Sequence, residues 1–203
     1  MRYKNYTTVI LVVIFVLSLF VLSPVLQRFL VLPQTEFFTE LWLLGPEHNG
    51  ETYPFNITLN EDYNVFLGVG NLLGTDSDYM IKVKFRNITQ SAADSLTESS
   101  SSLPSLYDIT FSLVNNETWE LPIVFSFDYS YNENLSQVTF NSMTLNGVLL
   151  DITGSTTWNS QINGFIGNVF FELWIYNNEL GNFQYHERYV DLKLNMTIGS
   201  AVI

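Results

Sequence analysis

The sequence predicts an all-β fold: an antiparallel β-sandwich ectodomain on a single N-terminal transmembrane α-helix. Three observations predict it. An uncharged apolar run of about 20 residues, one bilayer core at about 1.5 Å per residue, stands near the N-terminus. Past residue 35 the apolar residues recur with a period of two and show no helical period. Turn-forming pairs interrupt that alternation at short intervals. The expected organisation is a cytoplasmic N-terminus over residues 1–6, a transmembrane helix over 7–27, a neck over 28–35 and an extracellular β-sandwich domain over 36–203.

The anchor reads TVILVVIFVLSLFVLSPVL from Thr8 and has no polar face, unlike a helix of a soluble core. Arg2 and Lys4 precede it, so the excess of positive charge places the N-terminus inside. The run is long for a signal peptide, and no small-x-small cleavage site follows it. Residues 7–27 therefore contact membrane lipid, and Pro33 ends any helix in the neck.

The strands follow in order. Val65, Leu67 and Val69 alternate with Asn64, Phe66 and Gly68. Tyr79, Ile81, Val83 and Phe85 alternate with Met80, Lys82, Lys84 and Arg86, which reads as an apolar face and a cationic solvent face. Ile109, Phe111 and Leu113 form a third set, and Val190, Leu192 and Leu194 a fourth. Residues 37–44 and 169–176 are denser and read as strands covered on both faces. Gly45-Pro46, Tyr53-Pro54, Asn115-Asn116 and Asn177-Asn178 mark turns, and Asn146-Gly147 marks a two-residue hairpin. About eight to ten short strands separated in this way imply a sandwich. Residues 91–105, with Ser99, Ser100, Ser101 and Ser102 in a row, read as a mobile surface loop.

Charge excludes one class of partner. All 20 carboxylates lie past residue 35, against the five cations Lys82, Lys84, Arg86, Arg188 and Lys193, a net charge of −15 for that domain. Such a surface repels phosphates, so no nucleic acid is expected. With 15% aromatic and only 14% charged residues the chain is not disordered. It has no cysteine, so disulfides and thiolate chemistry are excluded.

A family resemblance rests on residues 39–85. Glu40-Leu41-Trp42-Leu43-Leu44-Gly45-Pro46 opens the pattern, followed by Tyr53-Pro54, Asn56-Ile57-Thr58-Leu59 with Glu61, Gly68-Val69-Gly70-Asn71 and Tyr79-Met80-Ile81-Lys82-Val83. Asn116-Glu117-Thr118-Trp119-Glu120 and Phe171-Glu172-Leu173-Trp174-Ile175-Tyr176 also fit. This resembles the outer domain of an uncharacterised archaeal membrane-protein family, a domain of unknown function with a β-sandwich ectodomain. The single helix here departs from relatives that carry several. The resemblance implies an archaeal envelope protein and brings no catalytic residues with it.

Five Asn-x-Ser/Thr triplets, at Asn56, Asn87, Asn116, Asn134 and Asn195, are candidate N-glycan acceptors. Their number is near what composition gives by chance, but their expected positions are turns, strand ends and polar faces. Asn5 starts another triplet and is expected bare on the inside. Asp76 and Asp78 offer oxygens to a metal, yet lack the spacing of a calcium loop, so a solvated turn is the expectation. His48 and His186 are the two histidines, too few for a zinc site without carboxylates. No catalytic motif is present, and paired carboxylates such as Glu117 and Glu120 are expected from composition alone. Residues 170–176 are expected in the core, and Tyr129 and Tyr131 on the surface.

The expected function is a non-catalytic, membrane-anchored glycoprotein without cofactors, an accessory or structural subunit of an archaeal envelope complex. Its expected partners are integral-membrane proteins, or further copies of the chain. A pilin-like filament subunit and an extracellular sugar- or peptide-binding module are the alternatives.

Overall fold

A computed structural model describes residues 6–18, 37–94 and 96–198. The chain divides into two compact units, Met1–Phe37 and Phe38–Ile203. In the first, residues 6–18 form a helix whose side chains, Val9, Ile10, Leu11 and Phe15 among them, stand exposed. Among the described residues no helix is long and apolar enough to cross a membrane. The rest of the expected span, residues 19–27, and the neck at 28–35 lie outside the described residues, as do residues 1–5.

The second unit holds ten strands in two five-stranded sheets. The first sheet runs β1 (Phe38–Leu44), β3 (Tyr63–Leu72), β6 (Thr118–Asn132), β7 (Gln137–Leu145), β8 (Val148–Thr157). The second runs β2 (Asn56–Ile57), β10 (Asn182–Met196), β9 (Ile166–Asn177), β4 (Ser77–Asn87), β5 (Tyr107–Leu113). All pairings are antiparallel except the short parallel contact of β2 with β10. This is the expected β-sandwich.

Period two explains the core. Val65, Leu67 and Val69, with Ile123, Phe125 and Phe127, face Tyr79, Ile81, Val83 and Phe85 of the other sheet, and all are buried. Phe85 meets Phe140 edge-on at 4.6 Å, close to Gly167, where an added Cβ would approach the Phe85 ring to 2.8 Å. The two-residue hairpin is present: Leu145 pairs with Val148, and Asn146 and Gly147 both adopt left-handed φ, 46° and 80°. The Asn146 amide also stitches to β6, accepting from Val124 N–H at 2.7 Å and donating to Pro122 C=O at 3.1 Å. That contact explains how a proline sits in an inner strand. At Pro122 the β7 ladder has not yet begun, so no N–H is required on that side.

Four expectations change. Residues 37–44 are not covered on both faces, because β1 is the edge of its sheet and exposes Phe38 and Glu40. Residues 169–176 are covered, but only as far as Leu173. Tyr129 is buried rather than surface, its hydroxyl held by Ile57 C=O at 2.9 Å and Thr197 C=O at 2.7 Å; Tyr131 is exposed as expected. Lys84 does not face solvent. It is 3% exposed, because the connection from β4 to β5 folds back over the outer face of the second sheet.

Candidate functional site

That connection is a strap, not a free loop. Asp94 and Ser99 exchange backbone hydrogen bonds of 2.9 and 3.0 Å, and the Asp94 carboxylate accepts from Leu96 N–H at 2.8 Å. This bond, with help from the Thr97 hydroxyl, holds the Asp94 carboxyl below the usual range. The strap is fixed to the sheet at Ser101. Lys84 Nζ donates to Ser101 C=O at 2.7 Å, and Ser101 N–H donates to Glu172 Oε1 at 2.7 Å. Lys84 and Glu172 pair at 2.9 Å, and Trp174 Nε1 donates to Glu172 Oε2 at 3.2 Å. Glu172 is fully buried, so every partner of its carboxylate is supplied by the protein. The sequence held a signal for this pair: a lone Glu inside an apolar run read as covered on both faces requires a cation.

Beyond the strap the outer face of the second sheet is open. Trp174, Tyr176, Phe183 and Tyr185 are half-buried there, paired in register as Trp174–Tyr185 and Tyr176–Phe183. Lys82 Nζ lies 4.1 Å from the Trp174 ring, a cation–π contact. A shallow depression of about 460 Å³ adjoins them, lined by Asp78, Thr110, Tyr176 and Phe183 among others.

Charge is segregated between the sheets. All five cations of the β-domain fall on β4 and β10 of the second sheet, where five carboxylates balance them. The strands of the first sheet carry Glu40, Glu120, Asp128 and Asp151 and no cation. Five short stretches of sequence cannot show this, because strand order alone decides which strands share a sheet.

A buried polar chain links the sheets where β1 begins. Tyr79 OH donates to Asn71 Oδ1 at 3.1 Å, so its contact with Thr39 Oγ1, 3.3 Å, is donated by Thr39. Thr39 then accepts from His186 Nε2 at 2.9 Å, which fixes the His186 tautomer with its proton on Nε2. Thr39, Tyr79 and Asn71 are fully buried. Burial, and then the nearby Arg188 charge, push the His186 pKa below its ordinary 6.5. The unfolded chain therefore binds a proton at His186 before the folded one does. Stability falls as pH drops below about 6.5 and continues to fall down to the folded pKa. Urea midpoints across this range should slope less in His186→Gln, whose amide can still donate to Thr39, than in the parent chain.

The sequence-derived sites separate. Asp76, in the turn entering β4, accepts from Asn115 N–H at 3.0 Å, and Asp78, within β4, accepts from Ser112 Oγ of β5 at 2.5 Å. Among the described residues no three His, Cys, Asp or Glu side chains converge as a metal site requires. His48 pairs with Glu120 at 2.9 Å, on a different sheet from His186. Glu117 caps Val114 N–H and does not join Glu120 in a shared contact. Asn116 and Asn134 are exposed, and among the described residues their side chains have no hydrogen-bond partner. Asn56 is exposed and accepts from Asn195 at 2.9 Å. The Asn87 amide donates to Ser155 C=O at 3.0 Å, and Asn195 also accepts from Phe165 N–H at 2.9 Å. Asn56, Asn87, Asn134 and Asn195 gather at the end of the sandwich away from the first residue of β1; Asn116 lies at the near end.

A family model described as a domain of unknown function (DUF1616) matches residues 32–141, which run from before β1 into β7. No curated protein matches the chain. Among solved structures, a β-glucosidase from Listeria innocua in complex with glucose is similar at a TM-score of 0.40 and 12% identity, over 78% of this chain and 16% of that one. The CARDB domain of a Pyrococcus furiosus protein in complex with di-metal ions is similar at 0.37 and 10%, over 80% and 90%. The chain thus spans about a sixth of the β-glucosidase it resembles.

Proposed function

The chain belongs to the DUF1616 family, a domain of unknown function, and from that premise we propose that it is a non-catalytic, membrane-anchored glycoprotein. In this reading residues 7–27 hold it in the membrane with the β-domain outside, as an accessory or structural subunit of an archaeal envelope complex. It docks an integral-membrane partner through the open half of the second sheet's outer face. The observation that carries the reading is that face: half-buried aromatics beside Lys82, on the sheet that gathers every cation of an otherwise acidic domain. Aromatic rings flanked by a few charges are what protein interfaces select. N-glycans on Asn116, Asn134 and Asn56, whose amide nitrogens make no hydrogen bond, keep the remaining surface in solvent.

The test is mild detergent extraction from native membranes, followed by mass spectrometry of the intact complex. A stoichiometric membrane partner is expected, and Lys82→Glu should release it at unchanged melting temperature. Hexose mass is expected on Asn56, Asn116 and Asn134 and absent from Asn87 and Asn195. A chain that emerges alone, or polymerised with itself, would sink the proposal.

A further inference from the structure

The outer face of the first sheet carries a different surface. Trp42 of β1 stands opposite Gly68 of β3, and a Cβ built on Gly68 would fall 2.1 Å from Trp42 Cε2 and 2.4 Å from its Nε1. A Cβ on Gly70 would meet Trp42 Cζ3 at 3.5 Å and Glu40 Oε2 at 2.8 Å. The indole therefore lies over the β3 backbone, in space that two glycines leave free. Gly68 stands opposite Glu120 of β6 on its other side. Glu120 is held by His48 Nε2 at 2.9 Å, and the His48 ring lies against the Phe66 ring, centroids 3.6 Å apart and tilted by 32°. The half-exposed ring is thus rimmed by Glu40, Glu120 and His48.

The other tryptophans have their ring partners within the domain. Trp119 stacks on Phe111, Trp158 meets Phe165, and Trp174 meets Tyr185 and Lys82. Among the described residues Trp42 makes no ring-pair or cation–π contact of the kind the other three make.

We propose that this platform seats a cationic side chain, arginine above all, presented by a basic segment of a partner protein. An aromatic face is negative and attracts a cation. Two carboxylates on the rim suit the guanidinium fork. The strands of this sheet carry four carboxylates and no cation, and the −15 domain concentrates positive ligands around it. Arg188 does not fill the role. It lines a depression together with Trp42, Phe38 and Glu40 at the edge of β1, but among the described residues it makes no cation–π contact with the indole, which lies over Gly68 of β3. A neutral sugar would stack on the ring but gain nothing from the carboxylates' charge. A second copy of the chain would bring another −15 against it.

This surface lies on the sheet opposite the one invoked above, and it is tested on the purified chain alone, so either idea can fail while the other stands. The full-length chain in lipid nanodiscs, isotope-labelled at the glycine and indole nitrogens, is titrated with an acetylated Gly-Arg-Gly amide. The Trp42 indole N–H and the Gly68 and Gly70 amides should shift together and saturate, with a Kd of about 1 mM. The other three indoles should stay in place, which also certifies the fold of each variant. Glu40→Gln with Glu120→Gln should weaken binding about fivefold, and Trp42→Phe should weaken it at the glycine reporters. An unmoved Trp42, equal binding by the double variant, or a response to methyl glucoside in place of the peptide would overturn the assignment. So would Trp42 shifts that follow protein concentration without peptide, which would identify a second copy as the occupant.

Discussion

Replacing Lys84 by methionine should destabilise the β-domain by about 3–5 kcal/mol, because it leaves the fully buried Glu172 carboxylate without its counter-charge. Ser101 N–H and Trp174 Nε1 remain as donors, and neither carries a full charge. The effect should therefore be far larger than for Lys82, whose contact with Trp174 lies on the open face. Removing both charges, in Lys84→Met with Glu172→Leu, should recover most of the loss, since an apolar pair of similar volume needs no compensation. The strap, however, should not recover. Its Ser101 N–H and C=O each lose a charged partner in the double variant, so hydrogen exchange at Ser101 should quicken even where the urea midpoint returns. The cycle separates two roles that a single substitution confounds: satisfying a buried charge and holding the strap. A Lys84→Met chain within about 1 kcal/mol of the parent would mean that water reaches Glu172.

Asn71→Leu is expected to cost about 3 kcal/mol, a large share of the 5–15 kcal/mol that holds a domain of this kind. The Asn71 side chain is fully buried and makes four hydrogen bonds. It donates to Thr75 C=O at 2.8 Å and Leu113 C=O at 3.1 Å, and accepts from Leu73 N–H and Tyr79 OH, both at 3.1 Å. Leucine fits the volume and serves none of them. Thr75 lies near enough to solvent to find water. Leu113 C=O and Tyr79 OH are buried and account for most of the loss. Tyr79→Phe removes the hydroxyl but leaves Asn71 Oδ1 bonded to Leu73, so about 1–2 kcal/mol is expected there. Urea denaturation of the two variants side by side gives the comparison. Losses of similar size would show that Asn71 is not the hub of the polar chain.

Local pattern determined much of this protein. Alternation at Val65, Leu67 and Val69, and at Tyr79, Ile81, Val83 and Phe85, marks the residues that fill the core, because a strand's side chains alternate faces whatever it pairs with. Asn146-Gly147 determined its hairpin, since few other residue pairs accept two successive left-handed conformations. Composition likewise determined the negative charge of the domain and the absence of cysteine chemistry.

What the alternation could not determine is whether the second face of a strand meets water. Met80 and Lys84 sit at positions that read as solvent-facing, and both are buried. A connection rich in Ser, with no apolar pattern of its own, was given its place by two hydrogen bonds to Ser101 and an ion pair between residues 88 positions apart. The tertiary structure likewise decided which strands share a sheet, and with it the segregation of the β-domain's five cations to one sheet and the seating of Trp42 over Gly68. These are pairings between distant segments. Their energy depends on burial and on the partner reached, and neither quantity is carried by a residue's near neighbours in the chain.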